Sequence, residues 1–390
     1  MKLRRLPEDF QVQELTSIVP DGGSFALYRL TKTSIGTPEA VKAIVERWSV
    51  QRKRISYGGL KDRHAVTVQH LTIHNGPRKS LRQSSIDLEY LGQVGIPFTS
   101  AEMHGNRFQL VLRDMTAEEM QRAETAIVQV GDTGLPNYFD DQRFGSLGQS
   151  GEWIARAWCL GNWERALWLA LADPHANDSA AEKQQKQLLR DLWGQWPECR
   201  QRLDRSDRRS IVMYLSDKVK AGRDPDCRGA LGRVNVDLRG LYLSAYQSAL
   251  WNRLLSRYLE AQCSGGEMHR FDLLSGPCVV PMHLAPETAV ALQATQLPLP
   301  CARIERPEGQ IGELLDAVLK EEQIELRELR VKYPRDSFFT KGTRAAMISP
   351  SGLSASASDD DLFPKQHKLT LAFDLPKGSY ATILVKRLTE

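Results

Sequence analysis

Strand-prone segments stand near both ends of this chain of 390 residues, and a tryptophan-rich, helix-prone region separates them. Four segments alternate or are rich in apolar and β-branched residues, as strands are: 25–30, 66–73, 106–113 and 369–373. From about Trp158 the sequence becomes helical in character, and 237–260 is a long amphipathic stretch. The chain is also too long for one average domain. We therefore expect a protein with strands and helices arranged in two domains.

Short sequence patterns predict where two helices begin and where the second one ends. Thr37 precedes Pro38, which is typical of a helix N-terminus, and Thr116 forms a capping box with Glu119. Gly131 is expected to end the second helix.

Near the C-terminus, 354–361 is a low-complexity run of serine, alanine and aspartate. This composition predicts a polar loop.

Composition excludes several classes of protein. No apolar run reaches the roughly 20 residues that span a bilayer, and the basic N-terminus has no apolar signal segment. The six cysteines form no C-x-x-C pair, which favours reduced thiols over a disulfide framework or a zinc ribbon. We expect a cytoplasmic protein without a membrane partner.

The formal net charge of +4 permits a polyanionic partner but does not require one. The basic residues are clustered in three places: Arg52, Lys53 and Arg54 with Lys61 and Arg63; Arg202, Arg205, Arg208 and Arg209; and Arg327, Arg330, Lys332 and Arg335. Each cluster is either a nucleic-acid contact or a solvated face. Charge spacing alone leaves both readings open.

One short segment combines a turn with charged side chains. Gly58 and Gly59 precede Asp62, which is flanked by Lys61 and Arg63. Neighbouring cations favour the ionised form of a carboxylate, as a nucleophile or base requires. The alternative is that Asp62 merely caps a turn while its neighbours face water.

Five segments stand out in chain order: 7–14 (PEDFQVQE), 59–67 (GLKDRHAVT), 105–108 (GNRF), 136–145 (PNYFDDQRFG) and 375–382 (LPKGSYAT). Together they resemble the motifs of the TruD family of tRNA pseudouridine synthases. The resemblance is strongest from residue 1 to about 157 and from about 340 to the end. Within the middle region 244–252 is the clearest match.

The resemblance implies an α+β fold. A pseudouridine synthase catalytic domain with a central, largely antiparallel sheet would comprise 1–157 and 340–390. An inserted, mainly helical α+β domain would comprise 158–339 and help to form an RNA-binding cleft. The chain departs from the family at 69–71, where relatives often carry Gln-Trp-Phe, and at 342–346, where a second arginine is often found.

The resemblance also implies roles for single residues. Asp62 stands at the position of the essential aspartate. Phe108 would stack on the target uracil, Asn106 would form a hydrogen bond near it, and Phe10 would line the same pocket. Without the motifs, core packing would be the preferred interpretation of both phenylalanines. Bacterial members modify uridine 13 in the D arm of tRNA.

The reaction itself needs no cofactor. Pseudouridine formation breaks the bond between uracil N1 and ribose C1′ and rejoins the base through C5, without redox change. It needs a carboxylate near the ribose, acting as nucleophile or as base, and the sequence does not choose between these. We find no phosphate-binding or dinucleotide-binding glycine motif. His70 and His74, four apart on a predicted strand, lack metal-site geometry.

Two alternative functions remain. One is a tRNA-binding protein without activity, against which the intact segment around Asp62 argues. The other is a hydrolase of nucleosides or glycosides, which would need a second carboxylate at a defined distance. The expected partner is tRNA, DNA is not expected, and nothing requires more than a monomer.

Overall fold

The computed structural model describes residues 1–263 and 266–389. The strands are β1 (Lys2–Leu3), β2 (Phe10–Thr16), β3 (Phe25–Thr33), β4 (Ile55–Tyr57), β5 (Val66–His74), β6 (Leu81–Gln83), β7 (Ile86–Val94), β8 (Met103–Met115), β9 (Leu135–Pro136), β10 (Met268–Leu273), β11 (Gly276–Pro281), β12 (Gln296–Pro298), β13 (Thr343–Ala345), β14 (Met347–Ile348), β15 (Ser351–Asp359) and β16 (His367–Pro376). The helices are α1 (Thr37–Trp48), α2 (Ala117–Thr133), α3 (Ile154–Cys159), α4 (Trp163–Leu171), α5 (Ala180–Asp191), α6 (Trp196–Arg202), α7 (Asp207–Lys220), α8 (Cys227–Leu231), α9 (Val236–Gln262), α10 (Pro286–Ala294), α11 (Gly309–Glu321) and α12 (Ala381–Thr389).

Ten strands form one central sheet. Eight of them follow the order β15-β16-β8-β2-β5-β3-β7-β6, while β1 pairs with β8 and β4 pairs with β5. The pairings are antiparallel except between β2 and β5. The predicted α+β class with a largely antiparallel sheet is confirmed.

The segments predicted as strands lie within β3, β5, β8 and β16. The capping box at the start of α2 is also confirmed, because Thr116 accepts a hydrogen bond from the Glu119 amide. The end of α2 differs from the prediction. The chain leaves the helix at Gly134, which takes the left-handed φ of +82° that a side chain disfavours, and not at Gly131.

The prediction of a loop at 354–361 is wrong for 354–359. Ser351–Asp359 form strand β15, which pairs antiparallel with β16 at the edge of the sheet. Most of its side chains are exposed. An edge strand without a buried face does not need the apolar alternation from which strands are recognised in a sequence.

The chain divides into two compact units. The first comprises Met1–Asn137, His283–Gln293 and Met347–Glu390, and the second comprises Tyr138–Met282 and Ala294–Ala346. The first contains the large sheet, whereas the second is mainly helical with small two-stranded sheets. The domain borders expected after 157 and 339 stay a prediction. No described helix is both long and apolar enough to cross a membrane.

Alternation along the strands gives the sheet of the first unit a buried and an open side. Phe10, Val12 and Glu14 of β2 point to the buried side, while Gln13 between them is exposed. Along β8, Phe108 is buried. The candidate residues Phe10 and Phe108 therefore belong to the buried side.

Candidate active site

Asp62 lies in the loop between β4 and β5, and its carboxylate contacts a cation from the N-terminal segment. Arg4 Nη2 donates a hydrogen bond of 3.0 Å to Asp62 Oδ2. The same guanidinium lies over the Phe10 ring, with Cζ 3.8 Å from the ring centre. Asp62 and Phe10, which the sequence proposed as site residues, are thus brought together by Arg4. The sequence motifs by themselves do not point to Arg4.

The cations next to Asp62 in sequence have other partners. Lys61 Nζ is 2.9 Å from Glu14 Oε1, and Arg63 forms a 3.3 Å ion pair with Glu39. The expectation that the flanking residues would hold Asp62 ionised therefore needs correction. The cation that contacts its carboxylate is Arg4, because the loop turns the two flanking side chains elsewhere.

A buried ion pair fixes the N-terminal segment on the sheet. Arg113 Nε of β8 lies 2.9 Å from Asp9 Oδ1, and the Leu6 amide donates to Asp9 Oδ2 at 2.9 Å. Arg113 Nη1 also contacts Asp360 Oδ1 at 3.1 Å. Together with the pairing of β1 and β8, these contacts hold both flanks of the segment that carries Arg4 and Phe10.

Three aromatic rings line up across neighbouring strands of the first unit. Phe10 and Phe108 meet edge to face at 6.4 Å between ring centres. Phe108 stands directly opposite Phe373 of β16 in the register, and their rings stack at 5.3 Å. The three side chains are 2%, 6% and 2% exposed, respectively. The cluster is therefore buried, and Phe10 links it through Arg4 to Asp62.

Phe373 was not identified from the sequence. The composition of 369–373 predicts a strand, but its pairing with β8 joins positions that are far apart in the chain, as the neighbouring pair of Arg107 and Asp374 illustrates (separation 267). The motif 375–382 begins two residues later and could have drawn attention to this ring.

Asn106 stands between Glu14 of β2 and Leu375 of β16 in the sheet register. Its side-chain Oδ1 is buried and, within the described part of the chain, has no hydrogen-bond partner. A buried acceptor without a partner is rare in folded proteins and can receive a donor from a bound molecule.

A buried lysine holds the backbone of the Asp62 loop. Lys32 Nζ donates to the carbonyl oxygens of Asp62 and Ile35, each at 2.7 Å, and to that of Lys61 at 3.4 Å. Lys32 is fully buried. Burial lowers its pKa to about 8, although the nearby charge of Asp62 favours the protonated form. Lys32 thus connects β3 to the candidate catalytic residue through the main chain.

Two further side chains fix the same loop. Thr37, the first residue of α1, accepts a hydrogen bond from the Lys61 amide at 3.0 Å and donates to Gln69 Oε1 at 2.8 Å. Gln69 Nε2 then donates to the Gly59 carbonyl at 3.3 Å. Because β3, β5 and α1 all contribute, the backbone around Asp62 is held from several elements.

The loop is also anchored by a buried carboxylate. Besides Lys61, Glu14 contacts the His70 amide, which donates to Oε2 at 2.7 Å. Burial by itself raises the pKa of Glu14, but the hydrogen bonds from His70 and the charge of Lys61 outweigh it. The net pKa lies below the usual value. The ionised carboxylate is therefore the form that suits this fold.

His70 and His74, which are four residues apart, each pack against a phenylalanine ring and do not converge on one point. His70 packs against Phe98, with 5.6 Å between ring centres, and His74 packs against Phe25 at 5.0 Å. Within 1–263 and 266–389 no group of three metal-ligating side chains is found.

The geometry supports chemistry on a nucleotide. A carboxylate in a fixed loop can act on a sugar carbon or its proton, and adjacent aromatic rings can receive a base. The class defined by this sheet and site is an enzyme of nucleic-acid modification.

The family model described as tRNA pseudouridine synthase D (TruD) matches residues 1–388. The chain belongs to this family and is an isomerase, a tRNA pseudouridine synthase.

Individual relatives extend over the whole chain. A Methanococcus maripaludis protein named "Probable tRNA pseudouridine synthase D 1" is 31% identical and covers 100% of this chain and 99% of its own length. The tRNA pseudouridine synthase D of Aquifex aeolicus is 26% identical, with 100% and 98% covered. A crystal structure from Methanosarcina mazei that carries the TruD name is 25% identical, covers 100% and 93%, and has a TM-score of 0.73.

Proposed function

We propose that this enzyme converts uridine 13 in the D arm of tRNA to pseudouridine, and that Asp62 acts on the ribose of a flipped-out nucleotide. The observation that carries the proposal is the convergence of Asp62, Arg4 and the Phe10 ring in one place. The position of the uridine rests on the family resemblance.

The reaction mainly requires a carboxylate that is held in position near the ribose. The N1–C1′ bond of uridine breaks, the base turns, and a C5–C1′ bond forms. The proton on C5 is lost and N1 gains one, so atoms and electrons balance without a cofactor. Asp62 acts either as a nucleophile at C1′ or as a base toward the C2′ proton. In both routes the held backbone of the Asp62 loop keeps the carboxylate in place.

The remaining proposed site residues would hold the base. Removing uracil from the RNA stack costs a few kcal/mol, and stacking on an aromatic ring returns about 1–3 kcal/mol. Phe108 would stack on the uracil, Asn106 would offer its unpartnered Oδ1, and Phe10 would line the pocket. Phe373, which stacks on Phe108, would support that ring from behind.

The wider organisation is part of the same proposal. The inserted domain at 158–339 would interrupt a catalytic domain formed by 1–157 and 340–390. The enzyme would act in the cytoplasm as a monomer, with tRNA as its partner and without a bound cofactor or metal.

The product of a tRNA incubation tests the activity. Pseudouridine formation leaves the RNA mass unchanged and creates a carbodiimide-reactive base, whereas a hydrolase would release uracil and a pure binder would do neither. Sequencing the reactive position tests the assignment to uridine 13.

A pair of variants tests the role of Asp62. Asp62→Asn should abolish pseudouridine formation and keep tRNA affinity, because the amide preserves volume but is neither nucleophile nor base. Asp87→Asn removes an exposed carboxylate that pairs with Arg82 in the same unit, and it should retain the parental rate. Turnover by Asp62→Asn above trace levels would overturn the assignment.

A further inference from the structure

The second unit contains a concave site that the catalytic chemistry does not use. It has a volume of about 430 Å³ and lies beside α7 and α8. Its wall includes Tyr214, Arg228, Arg233 and Tyr333. A cavity of this size falls in the range of small-ligand sites.

The two arginines of this cavity have no carboxylate in ion-pair contact, as judged over the residues that the structure describes. Both are exposed. By contrast, several other arginines of the second unit are paired, such as Arg202 with Glu198 at 3.2 Å and Arg239 with Asp336 at 2.7 Å. The two cations of the cavity wall therefore outnumber its one carboxylate, Asp226.

Both guanidinium groups lie within cation–π distance of aromatic rings. Arg228 Cζ is 5.5 Å from the Trp163 ring centre and 5.0 Å from that of Tyr333. Arg233 lies 4.1 Å from the Tyr214 ring centre. Stacking occupies the flat faces of a guanidinium and leaves the N–H groups at its edge, which match a phosphate with two parallel hydrogen bonds.

The one carboxylate of the cavity wall is already engaged. Asp226 accepts hydrogen bonds from the Tyr214 hydroxyl at 2.5 Å and from the Gly229 amide at 2.8 Å. Its pKa is lowered, first by the bond from Tyr214 and then by that from Gly229. Lys218, 5.2 Å from the Tyr214 ring, adds a third cation. The cavity wall thus has two arginines and one carboxylate, with Lys218 close by, and this balance favours an anionic ligand.

Two glycines leave room for the aromatic rings of the cavity wall. A Cβ atom on Gly229 would lie 2.4 Å from the Tyr214 hydroxyl oxygen, and one on Gly232 would lie 2.8 Å from the Tyr333 ring. Larger residues at either position would displace the aromatic rings that hold the arginines. The two glycines thus let the rings approach α8 and the segment after it.

We propose that this cavity binds the sugar-phosphate backbone of RNA, with Arg228 and Arg233 each holding a phosphate and the 38% exposed Tyr333 ring contacting an adjoining nucleoside. The proposal rests on the proposed function, since it assigns a tRNA contact to the same enzyme. Phosphate contacts of this kind set the position of a nucleic acid and carry no sequence information. The site therefore contributes affinity and leaves the chemical step unchanged.

Two arginines of the cluster at 202–209, by comparison, form hydrogen bonds within the protein. Arg208 Nε donates to the Leu171 carbonyl at 3.0 Å, and Arg209 Nε donates to the Arg200 carbonyl at 3.0 Å. Arg208 also pairs with Glu182. These contacts favour a structural role for Arg208 and Arg209, whereas Arg228 and Arg233 have no carboxylate in ion-pair contact among the described residues.

The test compares two double variants that remove the same charge from the second unit. Arg228→Gln with Arg233→Gln removes the unpaired cations, whereas Arg257→Gln with Arg306→Gln removes cations paired with Glu321 and Asp316. The affinity for unmodified tRNA is measured across salt concentrations, and turnover is measured at saturating tRNA. A thermal unfolding curve of each variant controls for folding.

We expect the cavity variant to bind tRNA at least about tenfold more weakly at low salt. Its log–log salt slope should flatten by about 1.4 to 1.8, from two phosphates at about 0.7–0.9 each. Turnover at saturation should stay within about twofold of the parent. The paired control should keep the parental affinity and slope. A variant with Arg228→Lys and Arg233→Lys should keep the parental salt slope, because the charge is retained. It should keep only part of the affinity, because lysine lacks the paired N–H groups of arginine.

Parental affinity and slope in the cavity variant would overturn this inference, as would an equal loss in the paired control. A failure of the proposed function can be distinguished from a failure of this inference. If the parent forms no pseudouridine, that function is wrong, while the salt dependence still reports on the cavity. If the parent is active and the cavity variant binds like the parent, the inference about this cavity fails by itself.

Discussion

Arg4 Nη2 and Asp62 Oδ2 are joined by a hydrogen bond of 3.0 Å, although the two residues are 58 positions apart in the chain. The same guanidinium covers a face of the Phe10 ring. Arg4 is therefore the residue that links the candidate catalytic carboxylate to the aromatic part of the site. Its backbone has a φ of +63°, so the N-terminal segment turns sharply at this residue.

The first prediction concerns Arg4. Replacing it by leucine should lower single-turnover pseudouridine formation by about 10- to 100-fold, because a hydrogen bond to a charged group contributes about 1.5–3 kcal/mol. Arg4→Lys should retain part of the rate. Arg5→Leu removes an exposed neighbouring charge and serves as the control. Full activity of Arg4→Leu, or an equal loss in Arg5→Leu, would contradict the role of this contact.

The second prediction concerns the clamp formed by Lys32. Lys32→Met keeps an unbranched side chain but removes the donor to the Asp62 and Ile35 carbonyls. An unsatisfied buried polar group costs about 1–3 kcal/mol, so we expect a lower melting temperature and at least about a tenfold lower kcat. The control is Lys42→Met, on the exposed part of α1. If Lys32→Met loses stability but keeps the parental kcat below its melting temperature, Lys32 serves the fold alone.

The third prediction concerns pH and Glu14. The pKa of this carboxylate is lower in the folded protein than its usual value of 4.5, so ionisation favours the folded state. Its stabilising effect should be complete above about pH 4.5 and should disappear as the pH falls through the folded-state pKa. Glu14→Gln, which leaves Lys61 unpaired, should cost about 3 kcal/mol at neutral pH and progressively less in acid.

Urea unfolding of the parent and Glu14→Gln at several pH values measures this difference. Glu89→Gln, in an exposed pair with Arg29, should cost less than about 1 kcal/mol throughout. A cost for Glu14→Gln that does not change with pH would argue against a role for its charge.

The fourth prediction concerns Phe108. Phe108→Leu keeps an apolar side chain but removes the ring, and kcat/KM on tRNA should fall by about 10- to 100-fold, the equivalent of about 1–3 kcal/mol of stacking. The salt dependence of tRNA binding should stay parental, because stacking is not an ionic contact. Phe98→Leu, at a buried ring that packs against His70, should mainly lower stability. Equal kinetic losses in the two variants would assign Phe108 to core packing.

The sequence by itself determined the elements whose signals are local. A high content of β-branched residues predicted β5, alternation predicted β8, and the capping box at Thr116 predicted the start of α2. It also placed Asp62 at a strand edge or in a loop after glycines, since a turn depends on a few adjacent residues. These features require no knowledge of distant parts of the chain.

Only the tertiary structure decided which distant residues meet. Strand β15 carries almost no apolar alternation, and it exists because β16 supplies its hydrogen bonds. Phe373 reaches Phe108 through the register of two strands that are far apart in sequence. Arg4, instead of the adjacent Lys61, contacts Asp62 because the buried carboxylate of Glu14 engages Lys61. Such pairings depend on the closure of long loops, for which local sequence carries no signal.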